Sequence, residues 1–553
     1  MVRIFCKNNA ARKEFPEGTT LLEILSAFDF DREQPILATK VNNVVEGLKF
    51  RVFNNRDVEF LDYTTYIGRN VYGRSLCFLL SKAAHDLFPA CKIVMRRPIC
   101  KGYYCRLDKG DGTPLSASDI EAVKAAMKDM VRKDIPFHRH EEQTDEVIRM
   151  FEALGYDDKV KLLRTSGDIY SYYYTLDGTP DYYYDALLPS TGYLKLWDLL
   201  PFHDGLLLRL PDRHNPEVLA PMVEQPKTFE VFNEESHWNR IMGLANVGDV
   251  NCACLEGGAS DLIQISEALQ EKKIVRIAEE IERRYRESGV KLVLITGPTS
   301  SGKSTFCKRL SIQLKACGIQ PVSFSTDDYF VNRVETPKLP DGSYDFDNFD
   351  TVDHDYLQKD VICLLDGEEV EVPEYNFVTG LREFNGKKLK MEEGRILLIE
   401  GIHALNPALT DKIDEKSKFR IFINTITSLS LDDHNCIPTS DIRLLRRIVR
   451  DYDKGAFSAQ ETIGAWPNVR RSEGKWIYPY QEQADVLFNS GYLIELAVMR
   501  THAERVLNTV PKNCSEYSEA LRLMKFLRYF IAVPDKEVPV SSLIRGFIGG
   551  SSL

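Results

Sequence analysis

A strand, a glycine-rich loop and a helix follow one another between residues 291 and 318, and this unit constrains the fold most. KLVLIT (291–296) is the apolar, β-branched run typical of a strand buried on both faces of a parallel sheet. Residues Gly297–Ser304 then match G-x4-G-K-[ST] at every fixed position. FCKRLSIQLKACG follows with the spacing of an amphipathic helix that ends at Gly318. The sequence therefore predicts a P-loop in an α/β domain.

The residue types of this loop point to nucleotide phosphates. Glycines let backbone N–H groups approach phosphate oxygens, and the helix N-terminus adds its positive dipole end. We expect Lys303 to reach the β- and γ-phosphates of ATP and the Ser304 hydroxyl to bind Mg²⁺. The predicted ATP-binding residues are Gly297, Thr299, Ser300, Ser301, Gly302, Lys303, Ser304 and Thr305.

Two carboxylates follow later strand-like runs. PVSFST (321–326) precedes Asp327, and RILLIE (395–400) ends in Glu400. The carboxyl ends of strands in an open α/β sheet line the ligand crevice. We expect Asp327 to accept the proton of a substrate hydroxyl or to hold Mg²⁺ through water, with a helix cap as the alternative. Glu400 is the predicted second acidic group near Mg²⁺.

An arginine-rich helix is predicted further along the chain. SDIRLLRRIVRD spaces Arg443, Arg446, Arg447 and Arg450 at i, i+3, i+4 and i+7, which is one face of a helix. Such a stripe is typical of a lid that closes over polyphosphate. A solvated helix face is the alternative.

Composition bounds the class of protein. At 553 residues the chain is long enough for three or four domains, and its 43% hydrophobic and 28% charged residues are ordinary for a globular protein. The net charge of −11 disfavours nucleic acid as a partner. The start of the chain lacks a signal-peptide pattern, and no run approaches the roughly 18 apolar residues of a membrane span. We predict a cytoplasmic protein without a membrane partner, and a homo-oligomer stays open.

The N-terminal half carries a first resemblance. Residues 1–64 alternate strand-like runs with the helical LLEILSAF, which predicts a β-grasp module. ILATKVN (36–42) and VEFLD (58–62), followed by RSLCFLL (74–80), resemble the ubiquitin-like and second domains of threonyl-tRNA synthetases. That family edits mischarged tRNA with a His-x3-His pair and a later Cys-x3-His. Here Ser75 and Leu79 stand at the first pair, and residues 183–188 contain neither Cys nor His, so we predict a retained α+β scaffold without editing chemistry.

Two further groups of residues in this half, a pair of histidines and a cluster of tyrosines, also allow structural predictions. His138 and His140 are predicted at the start of a helix, on different faces and solvated. The tyrosines of 170–174 and 182–184 predict a β-hairpin packed on a neighbour, with base stacking as the alternative. Residues 226–285 predict a helical connector.

The C-terminal half resembles the uridine kinase and phosphoribulokinase family. The shared landmarks, in one order, are Gly297–Thr305, DDYF (327–330), NFD (348–350), YNFVT (375–379), EGI (400–402), DIRLLRR (441–447) and Tyr478-Pro479. The resemblance implies that Asp327 is the catalytic base and that Asp350 holds the ribose hydroxyls. It also implies that Tyr329, Tyr375 and Phe377 contact the substrate, and that Arg443 and Arg446 lie on the lid.

One position departs from that family. Where uridine kinases have a base-contacting histidine, this sequence has Gly380, so base selectivity stays open. We predict an ATP- and Mg²⁺-dependent kinase of a nucleoside 5′-hydroxyl. The alternatives are a kinase of another sugar or small alcohol, and a tRNA-sensing regulatory ATP-binding protein, since tRNA stays open as a partner. The predicted parts are 1–64, 65–225, 226–285, 286–500 (the kinase domain) and the extension 501–553.

Overall fold

The computed structural model describes residues 1–31, 33–339 and 342–553. The N-terminal module is a five-stranded sheet packed on one helix. Its elements are β1 (Val2–Cys6), β2 (Ala11–Phe15), β3 (Thr19–Thr20), α1 (Leu21–Ala27), β4 (Ile36–Val41), β5 (Val44–Glu46), β6 (Arg51–Val52) and β7 (Arg56–Asp62). The sheet order is β2-β1-β7-β4-β5, with β1 and β7 parallel. Thr20 and Glu23 form a reciprocal capping box that starts α1.

The second part combines two antiparallel sheets with four helices. Its elements are α2 (Tyr66–Leu87), β8 (Lys92–Ile99), β9 (Gly102–Asp108), α3 (Ala117–Lys133), β10 (Phe137–Gln143), α4 (Thr144–Ala153), α5 (Asp157–Ser166), β11 (Tyr170–Leu176), β12 (Thr179–Asp181), β13 (Asp198–Phe202) and β14 (Gly205–Arg209). The sheet orders are β10-β11-β12 and β13-β14-β9-β8.

Two expectations for this part have different outcomes. The tyrosine-rich segment forms the predicted hairpin, with Asp177 and Gly178 both at positive φ in its turn. The prediction of a helix start at His138 and His140 is wrong, because both lie on strand β10. Pairing with β11 along its whole length holds this segment extended.

Three helices lead to the P-loop domain: α6 (Pro226–Ile241), α7 (Val247–Leu255) and α8 (Ala259–Ser288). The domain itself begins with β15 (Leu292–Thr296), α9 (Lys303–Ala316), β16 (Gln320–Ser325), α10 (His354–Leu365), β17 (Glu369–Glu371), β18 (Glu374–Asn376), β19 (Leu381–Glu383), β20 (Lys388–Lys390) and β21 (Arg395–Glu400). It continues with β22 (Lys418–Asn424), β23 (Ser430–Asp432), β24 (Asn435–Cys436), α11 (Thr439–Asp453), α12 (Ala459–Trp476), β25 (Val486–Asn489) and α13 (Glu495–Leu507). Two more helices follow, α14 (Tyr517–Leu527) and α15 (Arg545–Ile548).

The central sheet of this domain has the strand order β16-β21-β15-β22-β25. All neighbouring strands are parallel, so their carboxyl ends meet at one edge. Strand β15 lies in the middle and is buried along its whole length, as its apolar sequence predicts. The predicted fold class is confirmed: a P-loop α/β domain with a parallel sheet follows a β-grasp module and an α+β part.

The two halves share one hydrophobic core. Phe151 and Leu162 of the second part pack in the same cluster as Leu431 of β23, Leu444 of α11 and Phe526 of α14. The last residues of the chain also dock on the body, since Leu543 and Phe547 are buried. Within the described residues, no helix is both long and apolar enough to cross a membrane.

Candidate active site

The P-loop connects the central strand β15 to helix α9. A Cβ atom at Gly297 would lie 2.2 Å from the carbonyl oxygen of Ile423, so only glycine fits there. Ser300 and Gly302 have positive φ angles of 57° and 91°, which turn the backbone around a central hollow. The hydroxyl oxygens of Ser300 and Ser301 are buried without a hydrogen-bond partner among the described residues. Such a loop has the curvature and the free donors to hold phosphate oxygens.

Lys303 is the first residue of α9. Its Nζ donates to the carbonyl oxygens of Gly297 at 3.0 Å and Pro298 at 3.4 Å. Burial lowers the pKa of this ammonium, while the charges of Glu400 and Asp327 oppose the shift. The loop's own carbonyls hold the ammonium beside the phosphate-binding hollow.

Ser304 and Glu400 come together as predicted. Glu400 ends β21, the strand beside β15, and its Oε1 accepts a hydrogen bond of 2.9 Å from the Ser304 hydroxyl. A hydroxyl oxygen and a carboxylate oxygen are the ligand types that Mg²⁺ prefers. These two residues therefore fit a site for Mg²⁺, with the remaining ligands left to phosphate and water.

Asp327 lies at the same edge, in a short 3-10 helix that follows β16. Burial and the nearby charge of Glu400 raise the pKa of its carboxyl to about 7, against the opposing charge of Lys303. The predicted base and the predicted phosphate-binding lysine are therefore close enough to influence each other. A carboxyl with a pKa near neutrality is suited to taking a proton at physiological pH.

Asp347 and Asp350 lie in one loop and differ in their exposure. The side chain of Asp350 is 68% exposed, and its Oδ1 lies 3.7 Å from Nε2 of His354. Burial raises the pKa of the Asp347 carboxyl to about 6, with the charges of Arg447 and Lys303 opposing the shift. Asp347 is therefore half-buried and within the influence of the Lys303 charge, whereas the Asp350 side chain is exposed. The sequence pattern did not single out Asp347, because Asp347 and Asp350 stand three residues apart in one loop and their spacing does not show which carboxyl is buried.

The predicted substrate-contacting aromatics divide into two groups. Tyr375 and Phe377 lie together, with ring centroids 5.0 Å apart, and Phe330 stands 5.4 Å from Tyr375. Tyr329 points the other way: it is fully buried, and its hydroxyl donates to Asp360 at 3.0 Å. The expectation for Tyr329 is therefore wrong, and the neighbouring Phe330 takes its place in the aromatic cluster.

The predicted lid arginines are buried, which overturns the lid interpretation for them. Arg443 pairs with Glu473 at 2.8 Å and donates to the carbonyl oxygen of Thr299 at 3.0 Å. Arg446 pairs with Glu495 at 2.7 Å and donates to the carbonyl oxygen of Ser300 at 3.3 Å. Both guanidinium groups are neutralised by buried carboxylates that lie far along the chain. They brace the backbone of the P-loop from behind.

The other two arginines of helix α11 are partly exposed. The side chains of Arg447 and Arg450 are 18% and 28% exposed, and both contact Asp451. The positive charge of Arg447 partly offsets the rise in the pKa of Asp347. The positive charge of Arg450 adds to the lowering of the pKa of Lys303. These two residues are the partly exposed members of the arginine stripe. The sequence shows the stripe of four arginines. Its spacing alone does not distinguish the buried Arg443 and Arg446 from the partly exposed Arg447 and Arg450.

Gly380 is a turn residue with an arginine packed against it. Its φ is +74°, and a Cβ atom there would lie 2.7 Å from Nε of Arg333. The Arg333 guanidinium donates to the carbonyl oxygen of Phe377, while its Nε is buried without a partner among the described residues. Arg333 thus occupies the space that a side chain at position 380 would need.

The positions of the lost editing residues are filled. Ser75 and Leu79 are fully buried in α2, and the Ser75 hydroxyl accepts from the backbone N–H of Leu188 at 2.9 Å. The β23–β24 hairpin of the P-loop domain packs against the second part, where the Cys436 thiol donates to the carbonyl oxygen of Met95. Its Asp432 lies 3.6 Å from Lys159 Nζ. This packing supports a scaffold role for the second part.

Sequence and structure comparisons agree with this division of the chain. Residues 292–496 match the family model described as Phosphoribulokinase / Uridine kinase family. The threonine–tRNA ligase of Carboxydothermus hydrogenoformans is 28% identical over 201 residues, which are 36% of this chain and 31% of the ligase. That of Symbiobacterium thermophilum is 29% identical over 189 residues, 34% of this chain and 29% of the ligase. The chain spans about a third of the length of the curated relatives it matches.

Two solved structures are similar to the P-loop half. A structure described as a possible uridine kinase from Bacillus stearothermophilus is 18% identical, with a TM-score of 0.24, and covers 36% of this chain and 89% of that chain. The D-glycerate 3-kinase from Cryptococcus neoformans is 12% identical, with a TM-score of 0.21, and covers 46% of this chain and 87% of that chain. The chain therefore joins an N-terminal part that resembles the threonine–tRNA ligases to a P-loop kinase-type domain that matches the Phosphoribulokinase / Uridine kinase family.

Proposed function

We propose that this protein transfers the γ-phosphate of ATP to the 5′-hydroxyl of a nucleoside. One observation carries the proposal. Asp327, with its pKa raised to about 7, stands at the edge of the sheet where Lys303, Ser304 and Glu400 also meet. A phosphate-binding loop next to a carboxyl group suited to proton transfer is what phosphorylation of an alcohol requires. The exposed Phe377, which packs on the buried Tyr375, offers flat apolar surface for a base.

The residues of the P-loop would hold the nucleotide. The backbone of residues 300–305 would bind the phosphate oxygens, and Lys303 would leave its carbonyl acceptors to reach the β- and γ-phosphates. Ser304 and Glu400 would hold Mg²⁺, which neutralises charge on the phosphates when it is bound. Arg447 and Arg450 would add charge from the opposite side.

The proton follows a short path in this arrangement. The hydroxyl oxygen of the acceptor bonds to the γ-phosphorus while the bond from that phosphorus to the bridging oxygen of ADP breaks. The hydroxyl proton passes to the Asp327 carboxylate. Asp347, whose pKa responds to the charges of Lys303 and Arg447, would hold the other hydroxyl groups of the acceptor. Deprotonated Asp327 is therefore the form that reacts.

Replacement of the base tests the proposal. Asp327→Asn should lower kcat by about 10²- to 10⁴-fold with the preferred nucleoside, since it removes general-base catalysis. The affinity for ATP should stay the same. The measurement is ADP release with a panel of ribo- and deoxyribonucleosides, and Asp350→Asn serves as the matched control. Full turnover by Asp327→Asn would refute the role of Asp327, and no turnover of any nucleoside by the wild type would refute the substrate.

Arg333 favours a second candidate, a kinase whose acceptor alcohol carries an anionic group. The arginine stands beside Gly380 and Phe377, and it makes no ion pair among the described residues. Its unpartnered Nε is a donor that a phosphate or carboxylate could satisfy. Sugar phosphates and hydroxy acids carry such groups, whereas nucleosides do not.

A substrate comparison separates the two candidates. Arg333→Gln should lower kcat/KM by about tenfold to a hundredfold for anionic alcohols, because a charge-assisted hydrogen bond is lost. The same variant should leave kcat/KM for neutral nucleosides unchanged. Lys338→Gln, an exposed cation of the same loop, is the control. Turnover of nucleosides alone, unaffected by Arg333→Gln, would exclude the second candidate.

A further inference from the structure

A large cavity lies far from the P-loop, where three parts of the chain meet. Its volume is about 760 Å³, within the range of small-molecule sites. Residues 45–51 of the β-grasp module form one side, strands β10 and β11 of the second part form another, and helix α14 closes the third. No residue of the P-loop lines it.

One wall of the cavity is aromatic because of strand alternation. Tyr170, Tyr172 and Tyr174 occupy alternate positions of β11, so their side chains project from the same face. Arg139 on β10 pairs in register with Tyr174, and its guanidinium lies 4.2 Å from the ring centre of Tyr172. The Tyr172 hydroxyl donates to the carbonyl oxygen of Tyr184 at 2.6 Å, which fixes the ring. Tyr170 is 57% exposed.

The cavity is rich in cations that lack carboxylate partners. Five line it: Lys49, Arg51, Arg139, Lys525 and Arg528. Within the described parts of the chain, none of the five forms an ion pair shorter than 4.0 Å. Two of them donate to backbone carbonyl oxygens, Lys49 to Phe137 and Arg51 to Gly18. The protein as a whole has a net charge of −11, so five cations without ion pairs around one cavity stand out from the rest of the molecule. Such a group favours the binding of an anion.

Four acids line the same cavity, one fewer than the cations, and among the described residues none of them forms an ion pair with those cations. The acids are Glu46, Glu141, Asp168 and Asp185. Asp185 is already paired with Arg74 at 3.2 Å. Burial raises the pKa of the Glu46 carboxyl, and the charges of Arg139 and Lys525 oppose that shift. Both cations are thus close to Glu46 but beyond ion-pair distance.

We propose that this cavity binds a nucleotide, with its phosphate on Arg139, Lys525 and Arg528 and its base against Tyr170, the exposed tyrosine of β11. A flat ring stacks on aromatic faces, and a phosphate takes charge-assisted hydrogen bonds from arginine and lysine. The cavity volume suits one nucleotide. A free nucleotide and the end of an RNA strand offer the same chemistry. This site is separate from the P-loop and does not depend on the proposed kinase reaction.

Binding of AMP and UMP to the full chain tests the site. Calorimetric titration should give saturable binding that survives Lys303→Ala, which weakens the P-loop. Arg139→Gln together with Lys525→Gln should weaken this binding about tenfold to a hundredfold. ATP binding at the P-loop of the double variant should stay unchanged, which establishes that it is folded. Lys128→Gln with Arg132→Gln, two exposed cations on α3, is the matched control.

The outcomes separate the sources of the ligand. Binding of free AMP or UMP identifies a soluble nucleotide, whereas binding only of short RNA ending in the same nucleotide identifies a strand end. Both results support the site if the Arg139 and Lys525 variant loses them. Absence of saturable binding of mononucleotide and RNA would overturn the proposal. Binding that is lost in Lys303→Ala and kept in the double variant would also overturn it, because the ligand would then occupy the P-loop domain.

Discussion

At the residue scale, two carboxyl groups beside Lys303 have pKa values near neutrality. Burial dominates in both cases, and it raises the pKa of Asp327 to about 7 and that of Asp347 to about 6. Burial of a negatively charged carboxylate without a full ion pair costs free energy, so the neutral, protonated form is favoured and the pKa rises. Lys303 and Arg447 offset this cost only in part.

The raised pKa of Asp327 predicts the pH dependence of the reaction. The base acts when deprotonated, so kcat/KM should be maximal above pH 7 and should fall as the pH decreases through about 7. Steady-state rates between pH 5.5 and 8.5 at constant ionic strength measure this. The acid limb should have the same midpoint in Asp350→Asn, whose carboxyl is exposed. A profile that stays flat down to pH 5.5 would contradict the assignment of Asp327 as the base.

At the element scale, helix α11 presents two sets of arginines with different roles. Arg443 and Arg446 are buried with Glu473 and Glu495, while Arg447 and Arg450 are partly exposed. One face of the helix therefore supports the loop, and under the proposed function the other face supplies charge to the nucleotide.

Substitutions on the two sides of α11 should affect different properties. Arg446→Met leaves Glu495 buried without a cation, so we expect a loss of about 3–5 kcal/mol in the free energy of unfolding. Arg447→Gln should change that free energy by less than about 1 kcal/mol and lower kcat by about 10²-fold. Urea unfolding and steady-state kinetics of both variants measure the contrast. Equal stability of Arg446→Met and the wild type would argue against a bracing role.

The C-terminal tail is a second element with a role at the P-loop. A Cβ atom at Gly302 would lie 3.8 Å from the side chain of Leu543, and the Arg446 guanidinium lies 4.7 Å from the ring centre of Phe547. The tail thus packs against the loop and against the arginine that supports it. The predicted extension is part of the structure around the site.

Removal of the tail should therefore weaken ATP binding. A chain that ends at residue 541 loses Leu543 and Phe547, and we expect its Kd for ATP to rise about tenfold or more as the loop loses its packing. A chain that ends at residue 550 keeps α15 and is the control. Calorimetric titration with ATP measures both. An unchanged Kd in the shorter chain would mean that the loop keeps its shape without the tail.

At the scale of the whole molecule, a buried charge cluster joins the two halves. Lys159 of the second part is 1% exposed and lies 3.3 Å from Asp181 and 3.6 Å from Asp432 of the β23–β24 hairpin. His434 of the same hairpin lies 2.7 Å from Asp181. This hairpin leads directly into α11, so the second part supports the helix that supports the P-loop.

Loss of the central cation should destabilise both halves together. Lys159→Met leaves buried carboxylates of both halves without their cation, so we expect a loss of about 3–5 kcal/mol in the free energy of unfolding. Lys161→Met, whose side chain is 47% exposed, should change it by less than about 1 kcal/mol. Urea unfolding followed by circular dichroism should show one transition that shifts as a whole. A second, separate transition in Lys159→Met would mean that the halves fold independently.

Features that depend on residues close together along the chain could be predicted from the sequence. The P-loop follows from glycine, lysine and serine at fixed spacing between a strand and a helix, and all of these lie within 28 residues. Asp327 and Glu400 follow from strand ends, because parallel strands bring their carboxyl ends to one edge. The tyrosine hairpin follows from alternation around Asp177 and Gly178.

Contacts between distant segments, which local spacing does not encode, set which members of each pattern are buried and which are accessible. Arg443 and Arg446 are buried because Glu473 and Glu495, distant along the chain, reach them, and a helical stripe carries no information about such partners. Tyr329 is buried against Asp360 while Asp350 is exposed, because these loops turn over a core that local spacing does not describe. The cavity with five unpaired cations arises where three separate parts meet, so no single stretch of sequence contains it.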